Sequence, residues 1–540
     1  MGWKDFRSDR FNIGKHLQQV TASVLRLFQT LRHLRIRQVL YQCWYRARRP
    51  YIKLISYTHY LDHPISPLPC CDTGELIPYR NRYQGLNKFC FLSLGHSFEG
   101  NIDWNFSGHG KLWNYNLQYF DYLHDPLITH EEKQRLILSF CDGLLSGAIP
   151  PEPYPVSLRI VNWLFYYSKT GWKNALFHKC IRLQVGYLEN NLEFHILANH
   201  LLENYIALYF SGITLGDVKL VEKASKGLDE QLDEQVLADG GHYESSPMYQ
   251  SILLSKLILL YRQAGAHGRE RLFNPIRNML GWLQTFVFRD GKWAHVNDAT
   301  EGIAPEAAQL IEAAHDSGLV PALTKIEHSG YRRYNCGHFE LVFDAGNIMP
   351  PYQPGHAHAD MLSLCLQYRN KPILVDTGLS TYQDNQRRNT ERGTPSHNTV
   401  SIGNKNQSDV WSAFRVGRRA KLTVLEETER SITAAHNGYR ALGITHTRQL
   451  RFDEQQVSVD DRLSAASENA IAFFHFDHNL KIEVVNNRAT VAEGGPVFEF
   501  SGHSSIQILS YKQSLRYNEF VDAPLLAIKF EQNLRTLIRT

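Results

Sequence analysis

Three motifs of the sequence gather side chains that can transfer protons, bind carboxylates or hold a metal. The first is NHLLEN at 199–204, which lies inside a stretch of helical periodicity. On a helix, His200 and Glu203 are three residues apart and share a face, so the carboxylate can orient or charge the imidazole. Asn199 and Asn204 add amides to the same cluster. The alternative is a structural polar cluster, in which buried partners satisfy these groups without any chemistry.

The second motif is DGGHYESSPMY at 239–249, whose paired glycines and following polar residues predict a loop that leads into a helix. Functional side chains are common on such loops. The groups available for proton transfer are Tyr243, Glu244 and Tyr249. A tyrosine suits that role if its neighbours lower its pKa. The segment is equally typical of an ordinary helix entry, with Ser246 near the N-cap and Pro247 in the first turn.

The third motif is GHAHADMLS at 355–363, followed along the chain by Asp376 and His397. On a strand, His356 and His358 point to the same face, so one can bind a metal while the other remains free for catalysis. Two histidines and one aspartate from neighbouring strands form a suitable ligand set for zinc, with water or another group as the fourth ligand. The spacing therefore predicts a metal site beside a catalytic imidazole.

The elements that must position these motifs change once along the chain. From about 110 to 325, apolar residues recur every three or four positions, which predicts a succession of helices and hence an all-α array or toroid. From about 335, short alternating segments between turn residues predict the strands of a β-sandwich. The predicted class is α+β multidomain, an incomplete α/α barrel followed by an antiparallel sandwich. The predicted domains are 1–99 (basic helical arm and Pro-containing linker), 100–330 (α/α toroid) and 331–540 (β-sandwich).

Composition and charge limit the class of protein. The chain has 540 residues, of which 43% are hydrophobic and 21% charged, as in a soluble globular protein with more than one core. The net charge is only +4, which argues against a dedicated nucleic-acid binder. Basic residues concentrate within the first sixty. There they can face nucleic acid, anionic lipid or an acidic polymer, or simply form a solvated helix face.

Neither a disulfide framework nor a membrane anchor is indicated by the sequence. The eight cysteines form no C-x-x-C pair, and Cys365 lies in an apolar run as a small core residue. No apolar run is long enough to span a bilayer, and the N-terminus lacks the apolar segment of a secretory signal. We therefore expect a cytoplasmic location by default.

Taken together and in this order, the motifs resemble those of the heparinase II/III family of polysaccharide lyases, and they are similar also to the related oligoalginate lyases. The segments that carry the resemblance are NHLLEN at 199–204, DGGHYESSPMY at 239–249, GHAHADMLSL at 355–364, LVDTG at 374–378 and SHNTV at 396–400. The resemblance covers roughly residues 100 to 540 and leaves the basic arm outside it.

The resemblance implies an α/α toroid joined to a β-sandwich, with the substrate cleft between them. It assigns Asn199 to the substrate carboxylate, His200 and Tyr249 to proton transfer, and His356 to support from the β-domain. Glu203 would be the carboxylate beside His200. Further support would come from Tyr243, which could also compete with Tyr249, and from Glu244. His358, Asp376 and His397 would hold a structural zinc ion that fixes the strands bearing His356.

The implied reaction, β-elimination from a uronic-acid-containing polysaccharide or oligosaccharide, suits these residue types. The C5 proton of a uronate is weakly acidic because the neighbouring carboxylate is already negative, and a donor such as Asn199 can neutralise that charge. A base, His200 or ionised Tyr249, takes the proton, and an acid protonates the departing oxygen. The reaction needs no nucleotide or redox cofactor.

Two other functions fit parts of the sequence. A glycoside hydrolase on the same toroid would need two carboxylates beside the scissile bond, for which Glu203 and Glu244 stand out. A non-catalytic glycan-binding protein of an exopolysaccharide pathway would use the basic arm to contact a membrane or a synthesis partner. Because many members of the resembled family are exported, a periplasmic location is the alternative to the cytoplasm.

Overall fold

The computed structural model describes residues 24–74, 76–78 and 82–540. The first part of the predicted basic arm, 1–23, lies outside the described residues. The arm continues as two helices, α1 at 24–31 and α2 at Ile36–Arg48. None of the helices in the described residues combines the length and the apolarity that a bilayer crossing requires.

The helical domain begins beyond a short hairpin, β1 (Lys88–Phe91) and β2 (Leu94–Ser97). Its helices are α3 (Lys111–Tyr119), α4 (His130–Leu145), α5 (Pro153–Thr170), α6 (Ala175–Glu189), α7 (Ala198–Leu215), α8 (Val218–Gln235), α9 (Pro247–Gln263), α10 (Ala266–Phe286) and α11 (Ala307–Asp316). They form an incomplete α/α toroid, in which α7 packs against α5, α8 and α9. Hairpin residues Phe89 and Phe91 belong to the same buried core as the helices.

The entry into α9 shows how local chemistry sets a helix boundary. Ser246 is the N-cap, and its side chain accepts a hydrogen bond from the Tyr249 N–H at 3.3 Å. Pro247 occupies the first helical position, where its missing N–H has no cost. The prediction for these two residues is confirmed, and it places Tyr249 in the first turn of the helix.

The β-domain is a sandwich of antiparallel sheets. Its strands are β3 (Tyr331–Cys336), β4 (Phe339–Asp344), β5 (Leu364–Tyr368), β6 (Lys371–Leu374), β7 (Val400–Ile402), β8 (Val410–Trp411), β9 (Arg415–Val416), β10 (Leu422–Thr428), β11 (Ser431–His436), β12 (His446–Phe452), β13 (Gln456–Leu463), β14 (Ala470–His475), β15 (Ile482–Val485), β16 (Arg488–Val491), β17 (Val497–Arg516) and β18 (Glu519–Arg539). A ten-stranded sheet is built around β17 and β18, and β3 to β6 form a four-stranded sheet. The predicted fold class is confirmed.

Alternating burial along the strands explains which polar residues enter the sandwich. In β12, His446, Arg448, Leu450 and Phe452 are buried while the residues between them are more exposed. Side chains two apart on a strand share a face, so the histidine and the arginine are carried into the core with the apolar residues. A short helix, α12 (Gln386–Glu391), inserts between β6 and β7 and contributes Arg388.

Candidate active site

A cavity of about 910 Å³ lies between the helical domain and the sandwich. The helical domain contributes Asn199, His200 and Tyr249 to its lining, and the sandwich contributes His356 and Tyr382. The structure therefore brings the four predicted catalytic side chains into one cleft at the domain boundary. Pockets of this kind, between domains and with few convergent polar groups, are the usual position of ligand sites.

Asn199 lies at the N-terminus of α7, where the backbone reverses sharply. The two preceding residues, Leu197 and Ala198, have φ of 68° and 53°, values that side-chain-bearing residues rarely adopt. The Asn199 backbone N–H donates to Glu244 Oε1 at 3.2 Å, and its Nδ2 donates to Glu244 Oε2 at 2.9 Å. Glu244 thus holds the amide, and the buried Asn199 Oδ1 has no hydrogen-bond partner within the described residues.

His200 pairs with Glu193, not with the predicted Glu203. Its Nδ1 lies 3.1 Å from Glu193 Oε1, and the Tyr154 ring packs against it at 4.1 Å between centroids. Burial alone would lower the pKa of His200, but the Glu193 carboxylate outweighs burial and the net pKa is raised. Asn204 fixes Glu193 in turn, since its Nδ2 donates to Glu193 Oε2 at 3.1 Å.

Glu203 is a buried carboxylate that forms no ion pair with any residue the structure describes. It is 1% exposed, and its Oε1 makes no hydrogen bond within the described residues. Burial raises the pKa of its carboxyl group. Glu203 therefore does not orient His200. The backbone reverses before α7, and the imidazole of His200 faces the loop that carries Glu193.

Tyr249 faces the sandwich across the cleft. Its ring stacks on His356 with centroids 4.0 Å apart, and its hydroxyl lies 3.2 Å from the Tyr382 hydroxyl. Burial raises the pKa of the Tyr249 phenol, so the hydroxyl is protonated near neutral pH. Tyr243 is placed elsewhere: its hydroxyl bonds that of Tyr352 at 2.8 Å, and it does not line the cavity.

The loop that carries Tyr243 and Glu244 depends on its glycine pair. Gly240 has φ of 83°, and a Cβ there would lie 2.0 Å from the Asn278 carbonyl oxygen. Gln250 closes the loop, because its Nε2 donates to the Gly240 carbonyl at 3.0 Å and its Oε1 accepts from the His242 N–H at 2.6 Å. Glu244 is thereby held against the N-terminus of α7.

His356 is fixed by a buried carboxylate that the sequence did not reveal. Its Nδ1 lies 2.7 Å from Asp298 Oδ2, and its Nε2 lies 3.4 Å from Glu244 Oε2. Arg388 binds both oxygens of Asp298, at 2.5 and 2.7 Å, and His358 Nε2 lies 2.9 Å from Asp298 Oδ1. Although burial opposes ionisation, the Arg388 guanidinium holds the pKa of Asp298 well below its usual range.

The segment bearing His356 and His358 is irregular, so the prediction of a strand there is wrong. Its backbone bonds to other loops: the His358 N–H donates to Asn297 Oδ1 at 2.9 Å, and the Ala359 N–H donates to the Arg392 carbonyl at 2.9 Å. The two imidazoles nevertheless converge, because both reach the carboxylate of Asp298.

His358, Asp376 and His397 form the predicted metal cluster. Their potential ligand atoms all lie within 4.8 Å of one another, and all three residues are buried. His397 Nδ1 lies 2.7 Å from Asp376 Oδ2, while His358 Nδ1 and His397 Nε2 are buried nitrogens without a hydrogen-bond partner in the described chain. Orphaned nitrogens beside a carboxylate fit a bound cation, and the contact between Asp298 and His358 is the outer partner typical of metal-binding histidines.

A basic group also lines the cleft, two turns beyond Tyr249 on the same face of α9. Lys256 lines the cavity, is only 8% exposed, and has no hydrogen bond or ion pair within the described residues. Arg82 also lines the cavity and is paired with Asp121, and its Nη1 donates to Asn116 Oδ1 at 3.3 Å. Because Asp121 neutralises Arg82 and also lines the cavity, the attraction for anions on this side of the cleft comes from Lys256.

Two family models match the chain in order. Residues 172–312 match the one described as Heparinase II/III N-terminus, and residues 319–522 match Heparinase II/III-like, C-terminal. A curated relative, FtsZ-localized protein C of Caulobacter vibrioides, is 27% identical over 331 residues, which are 56% of this chain. The alignment also spans 56% of the length of that relative.

Solved structures show the same architecture. Heparinase III superposes with a TM-score of 0.67 at 14% identity, covering 82% of this chain and 80% of that one. A mutant of the heparan sulfate lyase HepC from Pedobacter heparinus superposes with a TM-score of 0.58 at 16% identity, covering 92% of this chain and 87% of that one. At such identities the likeness shows the fold.

Proposed function

Because the chain belongs to the heparinase II/III family, we propose that it is a polysaccharide lyase that cleaves a uronic-acid-containing polysaccharide or oligosaccharide by β-elimination. The observation that carries the proposal is the meeting of an amide, an imidazole and a phenol from the helices with an imidazole from the sandwich in one cavity. The residues are Asn199, His200, Tyr249 and His356. Each has a physical role in removing a proton next to a carboxylate.

Asn199 neutralises the substrate carboxylate in this proposal. Its amide is held by Glu244, and it sits in the first turn of α7, where the helix dipole favours negative charge. Glu244 accepts from one of the two N–H groups of Nδ2, and the second N–H is the donor for a substrate carboxylate, which stabilises the enolate-like intermediate formed when the C5 proton leaves. The strained residues Leu197 and Ala198 supply the backbone turn that positions this donor.

His200 is the base that takes the C5 proton. Its Nδ1 is occupied by Glu193, which leaves Nε2 as the atom available to accept a proton. The carboxylate makes the imidazole more basic, as the raised pKa of His200 indicates. Above that pKa the ring is neutral and can act; below it, the ring is already protonated.

Tyr249 is the acid that protonates the leaving oxygen. Burial keeps its phenol protonated, and the Tyr382 hydroxyl lies close enough to pass a proton back after turnover. His356 stacks under the Tyr249 ring and is anchored by Asp298. The sandwich thereby positions the acid opposite the base from the toroid.

An acidic polymer explains the basic side chains of the cleft. Lys256 follows Tyr249 by seven residues on α9, which is two helical turns or roughly 10 Å, about the length of a disaccharide. Its ammonium group is nearly buried and has no anionic partner in direct contact within the described residues. A carboxylate or sulfate two sugars from the scissile bond would supply one.

We infer that the cluster of His358, Asp376 and His397 holds zinc, which binds histidine nitrogen and carboxylate oxygen. Such an ion would cross-link the loop that carries His356 to the segments that carry Asp376 and His397. The chain's own residues connect this cluster to the cleft, because His358 contacts Asp298 and Asp298 holds His356 at the cleft. We give the ion a structural role, without contact to the sugar.

The test is to incubate the purified protein with a panel of uronate polymers and to follow ultraviolet absorbance. Elimination creates an unsaturated sugar end that absorbs, whereas hydrolysis releases reducing ends without absorbance. We expect absorbance to grow with the wild type and to be lost in Tyr249→Phe, with turnover retained in the matched control Tyr261→Phe on the same helix. Reducing ends without absorbance would favour a hydrolase, and no product from any polymer would contradict the proposal.

A further inference from the structure

Helix α2 presents an apolar stripe to solvent. Gln38 is buried and Tyr45 half-buried against the helical domain, while Ile36, Leu40 and Trp44 recur every four residues on other faces of the helix. Their exposures are 79%, 63% and 56%. Residues four apart on a helix lie one above the other, so these side chains form a continuous ridge pointing away from the protein.

Helix α1 extends the apolar surface. Leu25, Phe28 and Leu31 are 54%, 64% and 49% exposed. Of the 23 large hydrophobic side chains that are exposed in the described residues, eleven lie between 24 and 55. Single exposed apolar residues are ordinary, but a contiguous group of this size marks a surface that meets another apolar phase. We call the outward faces of α1 and α2 the arm surface.

The charge of the arm has a single sign. Residues 24–53 contain seven arginines and one lysine and neither aspartate nor glutamate. Two of the arginines form ion pairs within the protein, Arg26 with Asp409 and Arg35 with Glu234. Arg46 and Arg49 are exposed and have no carboxylate partner in the part of the chain that the structure describes. The arm surface therefore favours an anionic partner.

The arm surface is preformed. On the toroid side, the Tyr45 hydroxyl donates to the Leu192 carbonyl, and Arg48 Nη2 donates to the Asn190 carbonyl at 2.7 Å. On the sandwich side, Arg26 Nε lies 2.8 Å from Asp409, and Trp411 Nε1 donates to Thr30 Oγ1 at 3.2 Å. Contacts to the toroid and to the sandwich thus fix the two helices. The exposed apolar ridge is therefore held in place by residues that are not part of the ridge.

We propose that the arm surface docks on an anionic lipid bilayer. Leucine, isoleucine, phenylalanine and tryptophan side chains would enter the level of the headgroups, and the unpaired arginines would contact the phosphates. The combination of an apolar ridge with one-sided positive charge fits a sheet of anionic headgroups, because a bilayer offers apolar depth and negative charge across its whole area. The protein would lie on the membrane without spanning it.

The experiment is flotation of the full chain with vesicles of phosphatidylglycerol and phosphatidylcholine in equal parts, against vesicles of phosphatidylcholine alone. We expect binding to the anionic vesicles that weakens as salt is added, because exposed charges are screened. The triple variant Ile36→Ser, Leu40→Ser, Trp44→Ser should lose binding roughly tenfold or more, since it removes the apolar insertion. The variant Arg46→Gln, Arg49→Gln should weaken binding to anionic vesicles alone.

A matched control removes exposed apolar side chains elsewhere. Leu127, Leu323 and Val485 are 90%, 105% and 68% exposed and lie far along the chain from the arm. Their triple replacement by serine should leave flotation unchanged, and thermal unfolding should show both triple variants folded. Equal flotation with both vesicle types, equal loss in the control, or no flotation would overturn the proposal. So would a self-associated species in sedimentation velocity that the arm variant disperses, which would assign the surface to a second copy.

Discussion

Two buried clusters of the sandwich are built from the same residue types but differ in how their nitrogens are satisfied. In the first, His436 Nε2 lies 3.1 Å from His446 Nδ1, and His446 Nε2 lies 2.7 Å from Asp461 Oδ1. The Gly438 N–H donates to the remaining His436 nitrogen at 3.1 Å, and Arg448 binds both Asp461 oxygens. Every imidazole nitrogen of this cluster has a partner.

The second cluster, His358, Asp376 and His397, leaves one nitrogen of each imidazole without a partner among residues 24–74, 76–78 and 82–540. Burying an unpaired polar atom costs free energy, and a cation bound between these nitrogens would offset that cost. The same reasoning extends to His200, which has one nitrogen on Glu193 and the other available to the cleft. Residue type alone therefore does not distinguish these two clusters, whereas the partners of the second nitrogen of each imidazole do.

The largest expected effect distinguishes the cleft from the first cluster. We call that cluster, His436, His446, Arg448 and Asp461, the satisfied cluster because all its imidazole nitrogens have partners. His200→Gln should lower turnover by about 10²–10⁴-fold, the usual contribution of a positioned acid or base, with little change in unfolding. His446→Gln should leave the turnover of the folded protein close to that of the wild type. Steady-state absorbance assays on both variants check this prediction. Comparable losses of turnover in the two variants would remove the distinction.

The next effect concerns stability in the satisfied cluster. Asp461→Asn removes the charge that pairs with the fully buried Arg448, and breaking a buried ion pair costs about 3–5 kcal/mol. Denaturant unfolding should show this loss in the free energy of unfolding. Asp522→Asn, at an exposed ion pair, is the control and should leave the free energy of unfolding nearly unchanged. An equal, small change in both would mean that the cluster does not stabilise the sandwich.

The metal cluster should respond to an ion and the satisfied cluster should not. An ion present at a hundredfold excess over its dissociation constant stabilises the fold by about 2.7 kcal/mol. A chelator should therefore lower the melting temperature of the wild type but not that of His397→Ala, and His436→Ala should retain the ion. Elemental analysis and thermal melts test both statements. A wild-type protein purified without metal, whose melting temperature does not respond to added zinc, would contradict the assignment.

The smallest effect is a displacement of the pH profile. Glu193 raises the pKa of His200, and the base must be neutral to act, so activity falls as pH drops through that pKa. In Glu193→Gln the pKa falls, and the acidic limb of the kcat/KM profile should move to lower pH while the maximum rate declines. Glu189→Gln, on α6 and outside the cleft, is the control. An acidic limb that stays in place in Glu193→Gln would exclude His200 as the titrating base.

The fold could be predicted from the sequence because the period of its apolar residues changes from helical to alternating near residue 335. The four cleft residues could also be predicted, because they lie in motifs that follow one another in a recognisable order along the chain. Glu193, Asp298 and Arg388 could not be predicted, because they come from loops and a one-and-a-half-turn helix without periodicity. Positive φ values at Ser245 and Asn297, each next to a site carboxylate, mark the cleft in the structure but leave no sign in residue type.

The two wrong predictions have one cause. Helical spacing favoured Glu203 as the partner of His200, and alternation favoured a strand at His356 and His358. Both arguments treat a segment as regular, whereas the chain reverses at Leu197 before the helix and hydrogen-bonds to neighbouring loops around His358. Local spacing gives the wrong neighbour wherever tertiary contacts determine the backbone.

The most direct test of the central claim is mass spectrometry of the products formed in heavy-oxygen water. Elimination breaks the bond to the departing sugar without adding water. The unsaturated end should therefore carry no heavy oxygen, and the product that bears it should be lighter by one water than the corresponding hydrolysis product. We predict that the wild-type protein forms an unlabelled, unsaturated product and that Tyr249→Phe does not form it. Heavy oxygen incorporated at the cleaved end, with no unsaturated product, would contradict the account.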